Sequence, residues 1–276
     1  ERIVSQLLRM TAPLQEWIQD ARRAFARRDY HQALMLLNRA AAVVIEEELG
    51  EEYLVPILRA VGDARCGLGD WQGAQDHYRE ALERMEPLGL AESADAAGLL
   101  CNLGYCLDQQ QRFEDSEPLY VRALKLYVRN FGNDHPILVS VLTNMAFRLT
   151  MLDDLAGARG LFERALDIML RYVDAHHLAL VEPLNNLGEV VRRQGDAELA
   201  AELLLRAVGI LEQKVPDDGH EDLDVLLRNA ARALGDAGRQ EEAMALLQRN
   251  IRCAGAGCSV VMERLPDACL QDEPGK

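Results

Sequence analysis

The sequence predicts an all-α protein built from stacked helical hairpins, and three observations predict it. Alanine and leucine dominate by eye while aromatic residues supply only 5% of the 276 positions, a mixture that favours helix over sheet because both residues lose little conformational freedom in a helix. Small residues recur with a period near 42. Between them the larger apolar residues keep helical spacing, as where Leu100, Leu103 and Leu107 form one stripe and Tyr120 and Leu124 the stripe that faces it.

The segments DYHQALMLLNRA, DWQGAQDHYREA, RFEDSEPLYVRA, DLAGARGLFERA, DAELAAELLLRA and RQEEAMALLQRN align from first to last. Their small residues are Ala33, Ala74, Ser116, Ala158, Ala200 and Ala243, with steps of 41, 42, 42, 42 and 43. Seven residues later come Ala40, Ala81, Ala123, Ala165 and Ala207, and Asn250 breaks the series. Twelve residues earlier stand Ala21, Gly62, Gly104, Ala146, Gly188 and Ala231. Small side chains let two helices approach closely, while larger residues one turn away fill the gaps beside them. A short polar break separates the two helices, QQQR at 109–112 and GD or DD in neighbouring units. Each unit is therefore a helical hairpin whose open face is covered only when the next unit stacks on it.

This skeleton resembles the tetratricopeptide repeat from about Leu14 to Asn250, with Trp17 where that family often has its tryptophan. The period exceeds the usual 34 residues. The longer helices, LTNMA, LNNLG and the GNDHP loop are similar to the kinesin light chain variety. The resemblance implies a right-handed superhelical solenoid of about six helix-turn-helix units, first helices lining its concave surface and second helices the convex one. Residues 1–13 then read as an N-terminal helical segment, 14–253 as the six units, and 254–276 as a tail. Within that tail SVVMERL at 259–265 is a candidate capping helix.

Bulk properties narrow the partner. A formal net charge of −15 repels nucleic acid and anionic membrane, and no apolar run reaches the roughly eighteen residues of a spanning helix. Cysteines stand at 66, 101, 106, 253, 258 and 269. Cys101 and Cys106 lie about 140° apart around one helix, poor geometry for a disulfide, and no CxxC pair suggests zinc. The cysteines read as mostly free thiols of a reducing, cytoplasmic compartment.

The stretch GNDHPILVSVLTNMA, Gly132 to Ala146, looks at first like chemistry, with Asp134 beside His135. Register decides against it. His135 lies nine residues before Asn144, His177 nine before Asn186 and His220 nine before Asn229. Equivalent atoms of successive repeats stand on the order of 10 Å or more apart, too far to share a metal. Pro136 suits the first turn of a helix, and His135 falls at or near the N-cap, where the preceding unit has Ser93. Asp29, Asp70, Asp154 and Asp196 read as caps of second helices. No GxxxxGK[ST], GxGxxG or GxSxG occurs, and HEDLD at 220–224 is neither HExxH nor a calcium loop. No cofactor, metal or catalytic residue is expected.

Candidate binding residues follow from the first helices. Asn102, Asn144, Asn186 and Asn229 each precede the small position by two. A carboxamide offers a donor and an acceptor to any peptide backbone, and related repeats use an asparagine here to hold peptide. The alternative is a structural hydrogen bond between neighbouring first helices. One residue beyond the small position, Tyr105 and Phe147 form either an apolar anchor or packing beneath an adjacent helix. Arg192, Arg193, Arg228 and Arg232 form a cationic patch for a partner carboxylate unless Glu182 and Glu189 neutralise it. The basic RRAFARR, Arg22 to Arg28, reads as a solvated helix face. The two-carboxylate clamp of chaperone-binding family members fails, since the first three units offer Ile18, Arg22, Ala60, Gly98 and Asn102 at its positions. The expectation is a non-enzymatic protein–protein interaction module, a scaffold or adaptor binding an extended peptide or partner helix. The alternative is a peptide- or partner-sensing regulatory domain of a larger protein, which the Glu1 start keeps in play.

Overall fold

The computed structural model describes residues 2–214 and 221–254, with side chains placed over 13–214 and 223–248. His220 and SVVMERL fall outside the described residues. The helices are α1 (Arg2–Ala26), α2 (Tyr30–Glu46), α3 (Glu51–Gly67), α4 (Trp71–Met85), α5 (Ala94–Gln109) and α6 (Phe113–Phe131). They continue with α7 (Leu138–Met151), α8 (Leu155–Tyr172), α9 (Val181–Arg193), α10 (Ala197–Lys214), α11 (Glu221–Asp236) and α12 (Gln240–Ala254). A 3-10 turn, Leu178–Leu180, precedes α9, and the described residues contain no strand.

Consecutive helices pair as antiparallel hairpins, and each pair packs on the next within two compact units, Glu1–Asn130 and Phe131–Lys276. One buried core fills the first unit, around Leu14, Leu37, Tyr78, Met85 and Leu99, and a second fills the other around Phe162, Leu184, Leu204 and Leu227. The repeating small residues are where close approach happens. Ala33, Ala74, Ser116, Ala158 and Ala200 are wholly buried, as are Ala40, Ala81, Ala123, Ala165 and Ala207. Four residues beyond the small position of a second helix stands the side chain that fills the space above the first: Tyr78 over Gly62, Tyr120 over Gly104, Leu204 over Gly188.

The interhelix turns repeat as strictly as the helices. In every unit the last turn of the first helix ends on a residue of left-handed backbone, at Arg28, Gly69, Gln111, Asp153, Gly195 and Gly238. The next residue's N–H then bonds the carbonyl five residues back, Asp29 to Ala24, Asp70 to Arg65, Arg112 to Leu107, Asp154 to Leu149, Asp196 to Val191 and Arg239 to Leu234. This 6→1 closure satisfies carbonyls the helix end would leave open. The second helix begins at once: the carboxylates of Asp29, Asp70 and Asp154 accept from the N–H groups of Gln32, Gly73 and Gly157, and Asp196 accepts from Leu199 at 3.3 Å. All four expected caps are in place.

Candidate partner-binding face

In the first unit the inner-face candidates are already engaged. Asn102, half-buried on α5, donates from Nδ2 to Asp63 Oδ1 of α3 at 3.1 Å, and Tyr78 of α4 donates its hydroxyl to the same oxygen at 2.7 Å. Burial, then the neighbouring Asp63 charge, push the Tyr78 phenol well above its usual range, so it stays a donor. Tyr105 meets Trp71 edge-on, ring centroids 5.9 Å apart. A second buried carboxylate, Asp108, accepts from Tyr120 at 2.7 Å and from the Ser116 hydroxyl. These carboxylates pin one helix to another.

In the second unit α7, α9 and α11 are the first helices. Asn229 donates from Nδ2 to Asn185 Oδ1 at 2.9 Å, joining α11 to α9, and Asn185 in turn reaches Asn186 Oδ1 at a long 3.5 Å. Asn186 and Asn144 are half-exposed. Arg192 grips Glu189 through two nitrogens at 2.9 and 2.8 Å and Asp236 of α11 at 2.8 Å. Its hydrogen bond to Glu189, with Asp236 behind it, raises the guanidinium pKa further. Arg193 reaches back to the Thr150 carbonyl at 3.2 Å and to Asp153 at 2.7 Å. Arg228 pairs with Asp224 at 2.9 Å. The four arginines therefore do not form an open patch; Arg232 is exposed and has no ion-pair partner among the described residues. The apolar candidate is better placed: Phe147 is 37% exposed, and Met151, one turn on along α7, is 55% exposed.

The sequence profile of the tetratricopeptide repeat matches residues 24–86, 95–171, 140–213 and 179–254, most of the chain. The chain belongs to the tetratricopeptide repeat (TPR) family. No curated protein matches it. Among solved structures it is similar to BtubC (BKLC) from P. vanneervenii, with 23% identity and a TM-score of 0.66 over 91% of this chain and 95% of that one. It is also similar to the nearly identical, kinesin light chain-like TPR repeats of Podosopora anserina, with 16% identity and a TM-score of 0.62 over 73% and 95%. NprR solved in complex with its cognate peptide NprX follows, with 16% identity and a TM-score of 0.60 over 88% and 67%.

The TPR histidines act at helix entrances. His135 Nδ1 accepts from Ile137 N–H at 3.2 Å, and His177 Nδ1 accepts from Ala179 N–H at 3.2 Å, while Ser93 caps α5 through Ala96 N–H. Pro136 sits one step outside the expectation, in the turn that leads into α7 rather than in its first helical turn. Asp134 does not orient His135: it pairs with Arg171 at 3.3 Å, and the imidazole stacks on Phe131 at 4.7 Å. Among the described residues no group of three or more His, Cys, Asp and Glu could hold a metal ion, and no helix is long and apolar enough to cross a membrane. Sequence reasoning missed Asp63 and Asn185 as partners of the TPR asparagines, and Met151 as the companion of Phe147. The last was findable, since Met151 lies four residues beyond Phe147.

Proposed function

We propose that this TPR chain is a non-enzymatic protein–protein interaction module, a scaffold or adaptor, which takes an extended peptide or partner helix on the face carried by α7, α9 and α11. One observation carries the reading: Phe147 and Met151 hold large apolar side chains partly in solvent, one helical turn apart, on the register that α9 and α11 fill with Glu189, Arg193, Arg232 and Asp236. Exposed apolar pairs rimmed by polar groups are what interaction surfaces present. The half-exposed carboxamides of Asn144 and Asn186 lie on the same helical register, and Arg232 supplies an uncommitted charge for an acidic partner residue. The buried carboxylates of Asp63 and Asp108 are spent on the hydroxyls of their own repeats and, at Asp63, on an amide of the next repeat.

The partner segment expected is one with an aromatic or aliphatic anchor and an acidic residue near it. Its affinity is expected to be micromolar, about −8 kcal/mol, because ordering a flexible peptide consumes much of the contact energy. The likeness to NprR, solved with its cognate peptide, supports peptide as the ligand class and favours a second reading, a peptide-sensing regulatory domain. A peptide-display selection against the full chain tests both. Selected peptides should lose at least tenfold in affinity when Phe147 and Met151 are both changed to Ser, with the helical signal and melting temperature retained. Peptides that are predominantly basic, or that bind the double variant as tightly as the parent, refute this face.

A further inference from the structure

The first unit brings two thiols into contact. Cys66 Sγ on α3 lies 3.3 Å from Cys106 Sγ on α5 although 40 residues separate them in sequence. Both are unbridged thiols; Cys106 is buried, and Cys66 is partly exposed. The Tyr78 hydroxyl lies 3.4 Å from Cys66 Sγ, so the pair abuts the buried Asp63–Tyr78–Asn102 cluster that already ties α3, α4 and α5 together.

We infer that Cys66 and Cys106 form an oxidation site at which a hydroperoxide such as hydrogen peroxide closes a disulfide between the second and third repeats. Bonded sulfurs stand about 2.05 Å apart, so closure from the observed contact needs a movement of roughly 1.3 Å, shared between two side chains. Solvent access assigns the first step to Cys66. Its sulfur attacks the peroxide, the O–O bond breaks, one oxygen leaves as water, and Cys66 becomes a sulfenic acid. Cys106 is the resolving thiol. Cys106 is buried away from an oxidant that arrives from solvent, and its hydrogen bond to Cys66, then burial, push its pKa up while Cys66 is still a thiol. When its sulfur attacks the sulfenic sulfur, the S–O bond breaks and the displaced hydroxide leaves with the Cys106 proton as a second water. Two electrons pass from the two thiols to one peroxide, and the balance closes. Cys101 does not compete, because it sits on the same helix as Cys106, about 140° around its axis.

The test uses the reduced full chain, exposed to equimolar hydrogen peroxide, alkylated, and digested without reduction. Chymotryptic cleavage after Tyr105 separates Cys101 from Cys106, so mass spectrometry identifies the pair directly. The expected product is a Cys66–Cys106 linked peptide two hydrogens lighter than the sum of its parts, with Cys106 alkylation falling at least tenfold. Cys101→Ser should leave the link intact, Cys66→Ser should leave Cys106 alkylatable, and oxidation in concentrated urea should abolish the preference for this pair. Conversion of Cys66 to sulfinic or sulfonic acid while Cys106 stays alkylatable overturns the inference, as does linkage of Cys106 to any other cysteine.

Discussion

Gly62→Ala is a small substitution with a large expected effect. A Cβ added at Gly62 would lie 2.4 Å from Tyr78 Cε1 and 2.8 Å from Cδ1 and Cζ, against the 3.5–4.0 Å or so of a comfortable carbon contact. The ring must retreat by about 1 Å, yet Tyr78 is only 1% exposed, and its hydroxyl is held at 2.7 Å by Asp63. Overpacking of this kind costs about 1–3 kcal/mol, and loosening a hydrogen bond to a carboxylate adds to it. The gain in helix propensity from Gly to Ala returns about 1 kcal/mol. The net expectation is destabilisation by about 1–3 kcal/mol. Gly160, in α8, has nothing within 4 Å of the same added atom, so Gly160→Ala should stabilise by about 0.5–1 kcal/mol. Urea denaturation followed by circular dichroism gives both shifts. Hydrogen exchange should place the loss of protection in α3, α4 and the repeats next to them, because repeats are held by nearest-neighbour interfaces. If Gly62→Ala matched or exceeded the parent in stability, the proposed contact between first and second helices would be wrong. Uniform loss of protection through the whole unit would argue against repeat-by-repeat stabilisation.

Gln111→Gly should raise stability by about 0.5–1 kcal/mol, since Gln111 occupies a left-handed conformation, φ 61°, that costs a non-glycine residue about 1 kcal/mol or more; a lower urea midpoint would refute this. Asp70→Ala should cost about 1 kcal/mol through the lost cap of α4. The Gly73 N–H, with Arg65 alongside, holds the Asp70 carboxyl below its usual 3.8, so the fold favours the charged form. The advantage over the variant should be full above about pH 4 and shrink as the pH falls below that, which urea midpoints at pH 6 and pH 3 would check. Asn102→Ala should lower stability by about 1–3 kcal/mol by leaving Asp63 short of a donor, whereas Met151→Ser should leave the melting temperature nearly unchanged and weaken peptide capture. The reverse pattern would return the binding role to the asparagine.

The legible part of this chain is the part fixed within one repeat. Ala33 and its successors, the capping aspartates and the polar turns all act over a few residues or across a single hairpin, so the 42-residue period displays them in the sequence alone. The kinship of His135 and His177 with the helix-capping Ser93 was legible for the same reason. Their Nδ1 acceptors serve N–H groups two residues away, and register alone separated that role from metal binding.

The face of the first helices was harder to read because several of its polar side chains are claimed by a neighbouring helix. Asn102 reaches 39 residues back to Asp63, Asn229 reaches 44 back to Asn185, and Arg192 reaches 44 forward to Asp236. These partners sit at different phases of the repeat, so aligning the units hides the pairings. The cationic patch shows the consequence. Glu189 was visible as a neutralising neighbour of Arg192, but Asp236, which closes the other side of the guanidinium, belongs to the next repeat. A hydrogen bond given up by such a donor to serve a ligand costs its buried acceptor about 1–3 kcal/mol. Conserved-looking polar registers of a repeat are for that reason poor indicators of where a ligand sits. The side chains that face solvent without such a claim, Met151 and Arg232, mark the face by what their neighbours fail to use, and it is there that binding adds contact energy without first breaking the joint between repeats.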